Sequence, residues 1–364
     1  MRRTLLVAAA VLLSVGASAV PASAHSVSGV SATNLHTTLN EVAPSVPGLA
    51  VKVVESGSRL EVVNRTGREL IVLGYKDEPY LRIGPDGVFQ NLLSPATYIN
   101  RTRDGEEPTD AAKNAKVGET DWEKISSEPV ARWHDHRIHW MAPTDPPEAR
   151  AEPDKRHVIN AEWVVPLRLE GQAIAVKGDL VWEPGPSAVP WYALIVVLVA
   201  GVVLIARQAR WAAGLAAVTA VLLAVDVFHM LGLGLANAGS LGSRLGKGVT
   251  MDPLAVATWV VAVIAIVWLL RRGPDGLPLV ALAGLGVAFL GGLSDINALS
   301  RSEVPFGFGA GLARLAVSAS IGLGFGLAIA AALRLAGVFG PVRTVRAPAG
   351  ARGDSVATPG TSPV

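Results

Sequence analysis

Residues 191–206 read WYALIVVLVAGVVLIA, an apolar run with no charged side chain that is followed directly by Arg207. Four similar runs follow, and with their flanks all five are long enough to cross the hydrocarbon core of a bilayer. The runs are residues 191–206, 211–235, 254–270, 277–293 and 312–338. We therefore predict an all-α bundle of about five transmembrane helices in residues 188–338, with the lipid bilayer as a partner.

Basic residues between the runs predict the orientation of the chain. If every run crosses the membrane, one side carries Arg207, Arg210, Arg271, Arg272, Arg343, Arg346 and Arg352, and the other side carries Arg244, Lys247 and Arg301. The positive-inside rule makes the first side cytoplasmic. We expect a multi-pass protein of the cell membrane with its N-terminal domain outside. Residues 339–364, rich in small residues and proline, are expected to be a disordered cytoplasmic tail.

The first 24 residues have the features of a cleaved signal peptide. Arg2 and Arg3 precede a short apolar run, and ASA at residues 22–24 supplies the small residues that a signal peptidase reads. Cleavage after Ala24 leaves His25 at the N-terminus, where its α-amine and imidazole can chelate one metal ion. Alternatively, a histidine follows the cleavage site by chance, or cleavage falls elsewhere.

Residues 25–187 predict an extracytoplasmic all-β domain. Short runs with alternating apolar residues are separated by Gly, Ser, Pro and Asn turn signals, which suggests an immunoglobulin-like sandwich. A long polar excursion is expected at residues 101–128. The predicted strands are residues 49–54, 59–64, 69–75, 80–83, 87–93, 97–100, 131–141, 158–169 and 173–182.

The segment HDHRIHWM, residues 134–141, holds three of the seven histidines. In a strand, His134 and His136 would share one face about 7 Å apart, within reach of one ion, and His139 would join them only through a bulge or a turn. Met141 adds a soft ligand suited to Cu(I), and Asp135 could orient an imidazole. The alternatives are a solvated polar strand with hydrogen-bonded histidines, or a pH-sensing histidine cluster.

Several other functions lack support in the composition. The chain has no cysteine, so it has neither disulfides nor thiolate ligands. Its formal net charge is +2 and its arginines mostly flank apolar runs, so no nucleic-acid partner is indicated. We find no serine-nucleophile elbow, phosphate-binding loop or dinucleotide fingerprint in a suitable context, and we expect no catalytic role.

Polar residues inside the apolar runs form a second candidate site. The second run carries Asp226, His229 and Met230, with the carboxylate and the imidazole on one helical face. Asp295 lies two residues past the fourth run, at the end of that span, and Arg314 lies near the start of the fifth run. Such residues are costly in a membrane and point to function, here a path for metal ions or protons. The alternative is an Asp295–Arg314 pair that only holds the bundle together.

The chain resembles a family of actinobacterial multi-pass membrane proteins that carry a signal peptide. The resemblance rests on the region from Leu60 to GPDG at residues 84–87, on SPATY at residues 94–98, and on the HDHRIHWM motif. It implies the domain order given above and no activity. A histidine at the mature N-terminus is also similar to the secreted copper carriers of the CopC type, an analogy that does not extend to their body sequence.

These features predict a membrane-tethered extracytoplasmic metal-binding protein, with copper as the expected ion and His25, His134 and His136 as its first ligands. The protein would carry the ion or confer tolerance to it. The alternative from another class is an interaction or sensor module that contacts an envelope protein, with the helices as its anchor and no metal role. An oxidative copper enzyme is a third hypothesis, which the absence of an evident substrate surface disfavours.

Overall fold

The computed structural model describes residues 31–101, 116–142, 144–250 and 253–340. The predictions for the signal peptide, for His25 and for most of the C-terminal tail lie outside these residues. Within them a β-rich region is followed by a helical region, as predicted. We call these two parts the β domain and the helical region.

The described part of the β domain contains ten strands, and every pairing between them is antiparallel. They are β1 Leu35–Ala43, β2 Leu49–Val54, β3 Arg59–Asn64, β4 Leu70–Leu73, β5 Pro79–Gly84, β6 Gly87–Asn91, β7 Trp122–Ser126, β8 Val130–His134, β9 His157–Leu169 and β10 Gln172–Trp182. Two short helices interrupt them, α1 Pro95–Ile99 and α2 Pro147–Ala151.

The strands form two sheets around one apolar core. The larger sheet has the order β1-β10-β9-β4-β5-β6-β7 and the smaller has the order β2-β3-β8. Leu60 and Val62, which alternate along β3, are fully buried, and Leu60 lies opposite Trp133 of β8. They share the core with Val72 and Val165 of the larger sheet. Alternation of apolar and polar residues therefore gives each sheet one buried face, as expected for antiparallel strands.

Two strand predictions were wrong. Residues 97–100 were predicted as a strand, but Ser94 caps the short helix α1 by accepting a hydrogen bond from the Ala96 N–H, and Pro95 follows it in the first turn. A Ser-Pro pair is typical of a helix start, and this signal outweighed the β-forming residues. The strand predicted at residues 131–141 ends at His134, where the chain turns.

Four helical segments within the described residues are long and apolar enough to cross a membrane: Val189–Arg207, Trp211–Ala236, Pro253–Leu299 and Ala310–Leu335. The first, second and fourth are α3, α4 and α8. The third segment contains α6 Pro253–Arg272, a 3₁₀ turn Gly273–Gly276, α7 Leu277–Val287, a π-helical turn Ala288–Gly292 and a 3₁₀ helix Leu293–Leu299. Helix α5, Leu241–Thr250, lies between α4 and α6.

Small residues allow the helices to approach closely. A Cβ atom added to Gly284 of α7 would lie 2.5 Å from the carbonyl oxygen of Gly324 in α8, and one added to Gly324 would lie 2.4 Å from the carbonyl of Gly284. A Cβ atom added to Gly326 of α8 would lie 2.9 Å from the Cβ atom of Val202 in α3. Close backbone contact at glycines is the usual way in which membrane helices associate. It makes α8 the central helix of the region.

The loop at residues 300–309, which we call the junction loop, precedes α8 and bonds to the β domain. Thr33 and Glu303 exchange backbone hydrogen bonds of 2.9 and 2.8 Å. The Asn34 side-chain oxygen accepts a hydrogen bond from the Ser302 N–H at 2.9 Å. Arg301 lies 3.6 Å from the Asp145 carboxylate of the β domain. The β domain is thus bonded to the helical region just ahead of α8.

Candidate functional site

Asp135 shapes the end of strand β8. Its carboxylate is fully buried and accepts hydrogen bonds from the Trp133 indole at 2.9 Å and from the Arg137 main-chain N–H at 3.1 Å. The Arg137 guanidinium adds two more bonds, of 2.8 and 2.7 Å. The sequence predicted that this carboxylate would orient an imidazole, but its hydrogen bonds come from Trp133 and Arg137. Asp135 instead fixes the turn at residues 134–139, which we call the histidine turn.

The histidine turn brings three imidazoles together. The ring centroid of His139 lies 6.3 Å from that of His134 and 5.4 Å from that of His136. The prediction that His134 and His136 share a strand face was wrong, because the strand ends between them. The turn that was required for His139 to join the pair is present, and His139 is the common neighbour of the other two rings.

The nitrogen atoms of His134 already have protein partners. Nδ1 lies 2.9 Å from the Ser58 carbonyl oxygen, so it donates, and Nε2 accepts from the Arg59 guanidinium at 3.0 Å. Arg59 also lies 3.3 Å from the Glu55 carboxylate. A metal ion at His134 Nε2 would therefore have to displace Arg59. Within the described ranges no three histidine, aspartate, glutamate or cysteine side chains are arranged to hold a metal ion.

Tyr75 lies against the histidine turn, and sequence reasoning missed it. Its hydroxyl accepts a hydrogen bond from the His136 N–H at 3.0 Å and donates to Asn100, and its ring centroid is 6.2 Å from that of His136. Burial raises the pKa of Tyr75, and the nearby Asp135 charge raises it further. The hydroxyl therefore stays protonated at physiological pH and supports the turn as a neutral hydrogen-bonding group.

Met141 and the other two described histidines of the β domain, His36 and His157, lie outside the ring cluster. Met141 is partly buried just after the turn. His157 lies on β9 with Nε2 2.8 Å from the Glu152 carbonyl oxygen. His36 pairs with Glu303 of the junction loop at 2.5 Å. Neither of these two histidines contributes to the ring cluster of the histidine turn.

The helical region holds a second group of buried polar side chains. Asp226 of α4 accepts a 2.5 Å hydrogen bond from the Trp259 indole of α6, a partner that sequence reasoning missed. His229, one turn further along α4, has its Nε2 atom 3.6 Å from an Asp295 carboxylate oxygen. An indole within an apolar run needs an acceptor, and this is the signal by which Trp259 could have been found.

Arg314 and Met230 take other roles. The Arg314 guanidinium donates to the carbonyl oxygens of Ala298 and Arg301, at 3.1 and 2.8 Å, so it caps the end of the 3₁₀ helix. This contact replaces the Asp295–Arg314 pair that was the alternative interpretation. Met230 packs in a small apolar cluster with Leu233, Phe306 and Ala313.

The backbone is irregular where these polar groups meet. Helix α7 continues into the π-helical turn Ala288–Gly292, and Asp295 has non-helical angles, φ −109° and ψ 19°. Gly291 of that turn lies against Asp226, since a Cβ atom there would be 2.1 Å from the Asp226 Oδ1 atom. Irregular backbone at membrane depth occurs only inside the protein or beside a cavity, and π-helical turns are frequent at functional sites.

Comparison with protein-family models, with curated proteins and with solved structures gives no match to this chain.

Proposed function

We propose that the chain is a membrane-tethered extracytoplasmic metal-binding protein that captures an ion, copper in the first instance, at the histidine turn. The observation that carries the proposal is the position of the His139 ring, 5.4 Å from the ring of His136 and 6.3 Å from that of His134. Two imidazoles that share an ion have ring centroids about 5–6 Å apart, given metal–nitrogen bonds of about 2.0 Å.

The buried carboxylate of Asp135 also supports the proposal. A site binds more tightly when its ligands are held in place before the ion arrives, because less ordering is required on binding. Four hydrogen bonds from Trp133 and Arg137 fix the turn through Asp135. The turn is therefore held in one conformation before an ion binds, unlike a solvated strand.

The proposed ligand set starts from His136 and His139. His134 would join them after Arg59 has moved, which is feasible because the Arg59 side chain is 36% exposed. Met141 and the amine and imidazole of His25 would complete the set, favouring copper over harder ions. In this proposal the role is carriage of the ion or tolerance to it, and not catalysis.

The membrane arrangement belongs to the same proposal. We take α6 and α7 as two antiparallel crossings joined by the turn Gly273–Gly276, which gives five crossings in all. Two features support these two crossings. Helices α6 and α7 share one apolar cluster, and Arg271 and Arg272 lie at the turn between them. The positive-inside rule supports an external β domain. The basic start, the apolar run and the ASA sequence at residues 22–24 support a cleaved signal peptide at residues 1–24. Two antiparallel sheets around one core support an immunoglobulin-like sandwich.

The test is a Cu(II) titration of the membrane protein with His25 as its N-terminal residue, in detergent micelles, followed by electron paramagnetic resonance. We expect tight binding with nitrogen ligation that is weakened at least tenfold by the double change His136→Ala/His139→Ala. The matched control is His157→Ala, which removes an imidazole of the same domain outside the turn and should leave the affinity unchanged. Equal affinities in the double variant and the control would end the copper proposal.

A second candidate function is an interaction or sensor module for an envelope protein. The observation that favours it is the junction, where Thr33, Asn34 and Asp145 of the β domain bond to the junction loop. Such contacts could pass a binding event in the β domain to the helices. This candidate predicts that metal has no effect on the junction. It would be favoured if hydrogen exchange of residues 300–309 is the same with and without Cu(II).

A further inference from the structure

Five helix ends form the side of the helical region that we call the distal end: the ends of α3, α6 and α8 and the starts of α4 and α7. Helix α8 leads to it from the junction loop, over about 39 Å at 1.5 Å for each of its 26 residues. The other four helix ends contribute to one apolar cluster, with Ala206, Leu215, Leu269 and Leu277 among its buried members. Leu335 at the end of α8 packs against this cluster.

Four exposed arginines surround the distal end. Two lie where α3 ends and α4 begins, and two are the last residues of α6. The four are Arg207, Arg210, Arg271 and Arg272. Among the described residues of this end, the only acidic one is Asp275 in the turn Gly273–Gly276. The distal end therefore carries an excess of positive charge.

The side chains of these four arginines form no ion pair and no hydrogen bond within the part of the chain that the structure describes. Other arginines of the helical region are bonded to the protein. Arg334 of α8 donates to the carbonyl oxygens of Ala206 and Gln208, at 2.5 and 3.3 Å. Arg314 caps the 3₁₀ helix. The four exposed guanidinium groups can therefore contact a partner outside the chain.

A tryptophan indicates the depth of these arginines in the membrane. The guanidinium carbon of Arg272 lies 4.7 Å from the ring centroid of Trp268, which is 37% exposed near the end of α6. Tryptophan is enriched at the level of the lipid headgroups, where its ring meets both apolar and polar surroundings. We therefore expect Arg272, held over the ring by a cation–π contact, to lie beside the lipid phosphates.

The positive-inside rule alone does not explain why all four residues are arginines. The rule counts lysine and arginine alike, yet every lysine of the chain lies at residue 247 or before. A guanidinium can donate two parallel N–H bonds to one phosphate, whereas an ammonium acts as a point charge. Four arginines without bonds to the protein therefore suit phosphate groups.

We propose that the distal end binds the headgroup of an anionic phospholipid, with the guanidinium groups of the four arginines bonded to its phosphate. Basic pockets between transmembrane helices are suited to such headgroups. The proposal rests on the two crossings by α6 and α7, which place Arg271 and Arg272 at the membrane surface, and it does not rest on copper binding. A bound lipid would hold the turn between α6 and α7 at a fixed depth.

The experiment uses the membrane protein with His25 as its N-terminal residue, in detergent micelles, and measures bound lipid by native mass spectrometry. Phosphatidylglycerol and phosphatidylcholine with the same acyl chains are titrated separately. We expect phosphatidylglycerol to bind about tenfold more tightly, because the phosphatidylcholine headgroup has no net charge. The double change Arg271→Gln/Arg272→Gln should lower the phosphatidylglycerol affinity about tenfold.

The matched control is Lys52→Gln/Lys76→Gln, which removes the same charge from exposed positions of the β domain and should leave the lipid affinity unchanged. Equal binding of the two lipids by the unchanged protein would overturn the proposal. So would equal phosphatidylglycerol affinities in the Arg271→Gln/Arg272→Gln variant and the control.

A second variant keeps the positive charge, and with it the orientation of the chain. Replacement of all four arginines by lysine should weaken phosphatidylglycerol binding about threefold, because the paired N–H bonds to phosphate are lost. This variant decides the question if the glutamine variant does not fold. An affinity equal to that of the unchanged protein would show that only general charge is involved and would overturn the proposal.

Excess glycerol 3-phosphate separates a lipid from a soluble phosphate compound. We expect it to leave phosphatidylglycerol bound, and displacement would exclude the lipid as the specific ligand. Failure here leaves the Cu(II) result at the histidine turn intact, because that result depends on residues of the β domain. The two crossings by α6 and α7 are tested separately, through the accessibility of Asp275→Cys.

Discussion

The Nδ1 atom of His36 lies 2.5 Å from a carboxylate oxygen of Glu303, so a side chain of the first strand is bonded to the loop that leads into the last helix. The two side chains are 43% and 30% exposed, and ion pairs this open contribute about 0–1 kcal/mol. The backbone pair between Thr33 and Glu303 lies beside it. We infer that the backbone hydrogen bonds provide most of the stability of the junction and that the side-chain pair contributes little to it.

The first prediction separates these two contributions. Glu303→Gln removes the charge but keeps the backbone bonds, and we expect hydrogen exchange in residues 300–306 to rise only slightly. Thr33→Pro removes the N–H that donates to the Glu303 carbonyl oxygen at 2.9 Å, and we expect a much larger rise there. Mass spectrometry of exchanged full-length protein measures both. A larger effect from Glu303→Gln than from Thr33→Pro would contradict the inference.

The second prediction concerns the buried carboxylate of Asp135. Asp135→Ala leaves the Arg137 guanidinium, 19% exposed, without its carboxylate partner. Breaking a buried pair by removing one member costs about 3–5 kcal/mol of unfolding free energy. Asp145→Ala, which breaks the more exposed 3.6 Å pair with Arg301, should cost less than about 1 kcal/mol. Denaturant unfolding followed by tryptophan fluorescence compares them, and similar losses would argue against a supporting role for Asp135.

The third prediction is a pH dependence at Asp179 of β10. Its carboxylate accepts hydrogen bonds from the Glu162 N–H at 2.9 Å and from the Asn40 amide at 2.7 Å, and these lower the pKa of Asp179 below its ordinary value. A lowered folded-state pKa adds stability above the unfolded value, and this stability is lost as the pH falls through the folded value. Asp179→Asn should therefore flatten the melting-temperature profile below about pH 4.

The control for Asp179 is Asp154→Asn, which removes the same charge from an exposed position and leaves both hydrogen bonds of Asp179 in place. Its profile should follow that of the unchanged protein. Glu162 has a positive φ of 53°, so the hydrogen bond to its N–H also holds an unusual backbone position. Identical acid profiles for the Asp179 variant and the unchanged protein would show that these contacts do not survive in solution.

The local sequence pattern was sufficient to predict part of the fold. Strands β2 and β3 have the predicted bounds, because alternating apolar residues and clear turn signals mark them in the sequence. Strand β1 was missed: LHTTLNEVA has a mostly polar composition, and it forms a strand through its pairing with β10, more than a hundred residues away. Propensity cannot reveal a strand that is decided by a distant partner.

The candidate sites depended still more on distant contacts. The histidine motif was evident in the sequence, but its turn is set by Asp135 and by the bonds of Arg137 to the Leu73 and Gly74 carbonyl oxygens. No local pattern connects residues so far apart. Asp226, His229 and Asp295 were recognised in the sequence because polar residues are rare in apolar runs. The 3.6 Å distance between His229 and Asp295 depends on how the helices pack, so the sequence could not predict it.

The fourth prediction decides between four and five crossings. The chain contains no cysteine, so single cysteines can be placed without removing any. Gln208, Asp275 and Ser240 are exposed positions between the helices. Five crossings place Gln208 and Asp275 in the cytoplasm and Ser240 outside, because α6 and α7 each cross. A membrane-impermeant maleimide should then label Ser240→Cys in intact cells, and the other two only after permeabilisation.

Asp275 is the decisive position. It lies in the 3₁₀ turn Gly273–Gly276 between two apolar helices, directly after Arg271 and Arg272. If the segment Pro253–Leu299 crossed only once, that turn would be buried in the bilayer, where the Asp275 carboxylate and the arginines are costly. Asp275→Cys would then resist labelling even after permeabilisation, while Gln208→Cys reacts and serves as the control. Equal labelling of the two after permeabilisation requires a cytoplasmic turn, and therefore two separate crossings by α6 and α7.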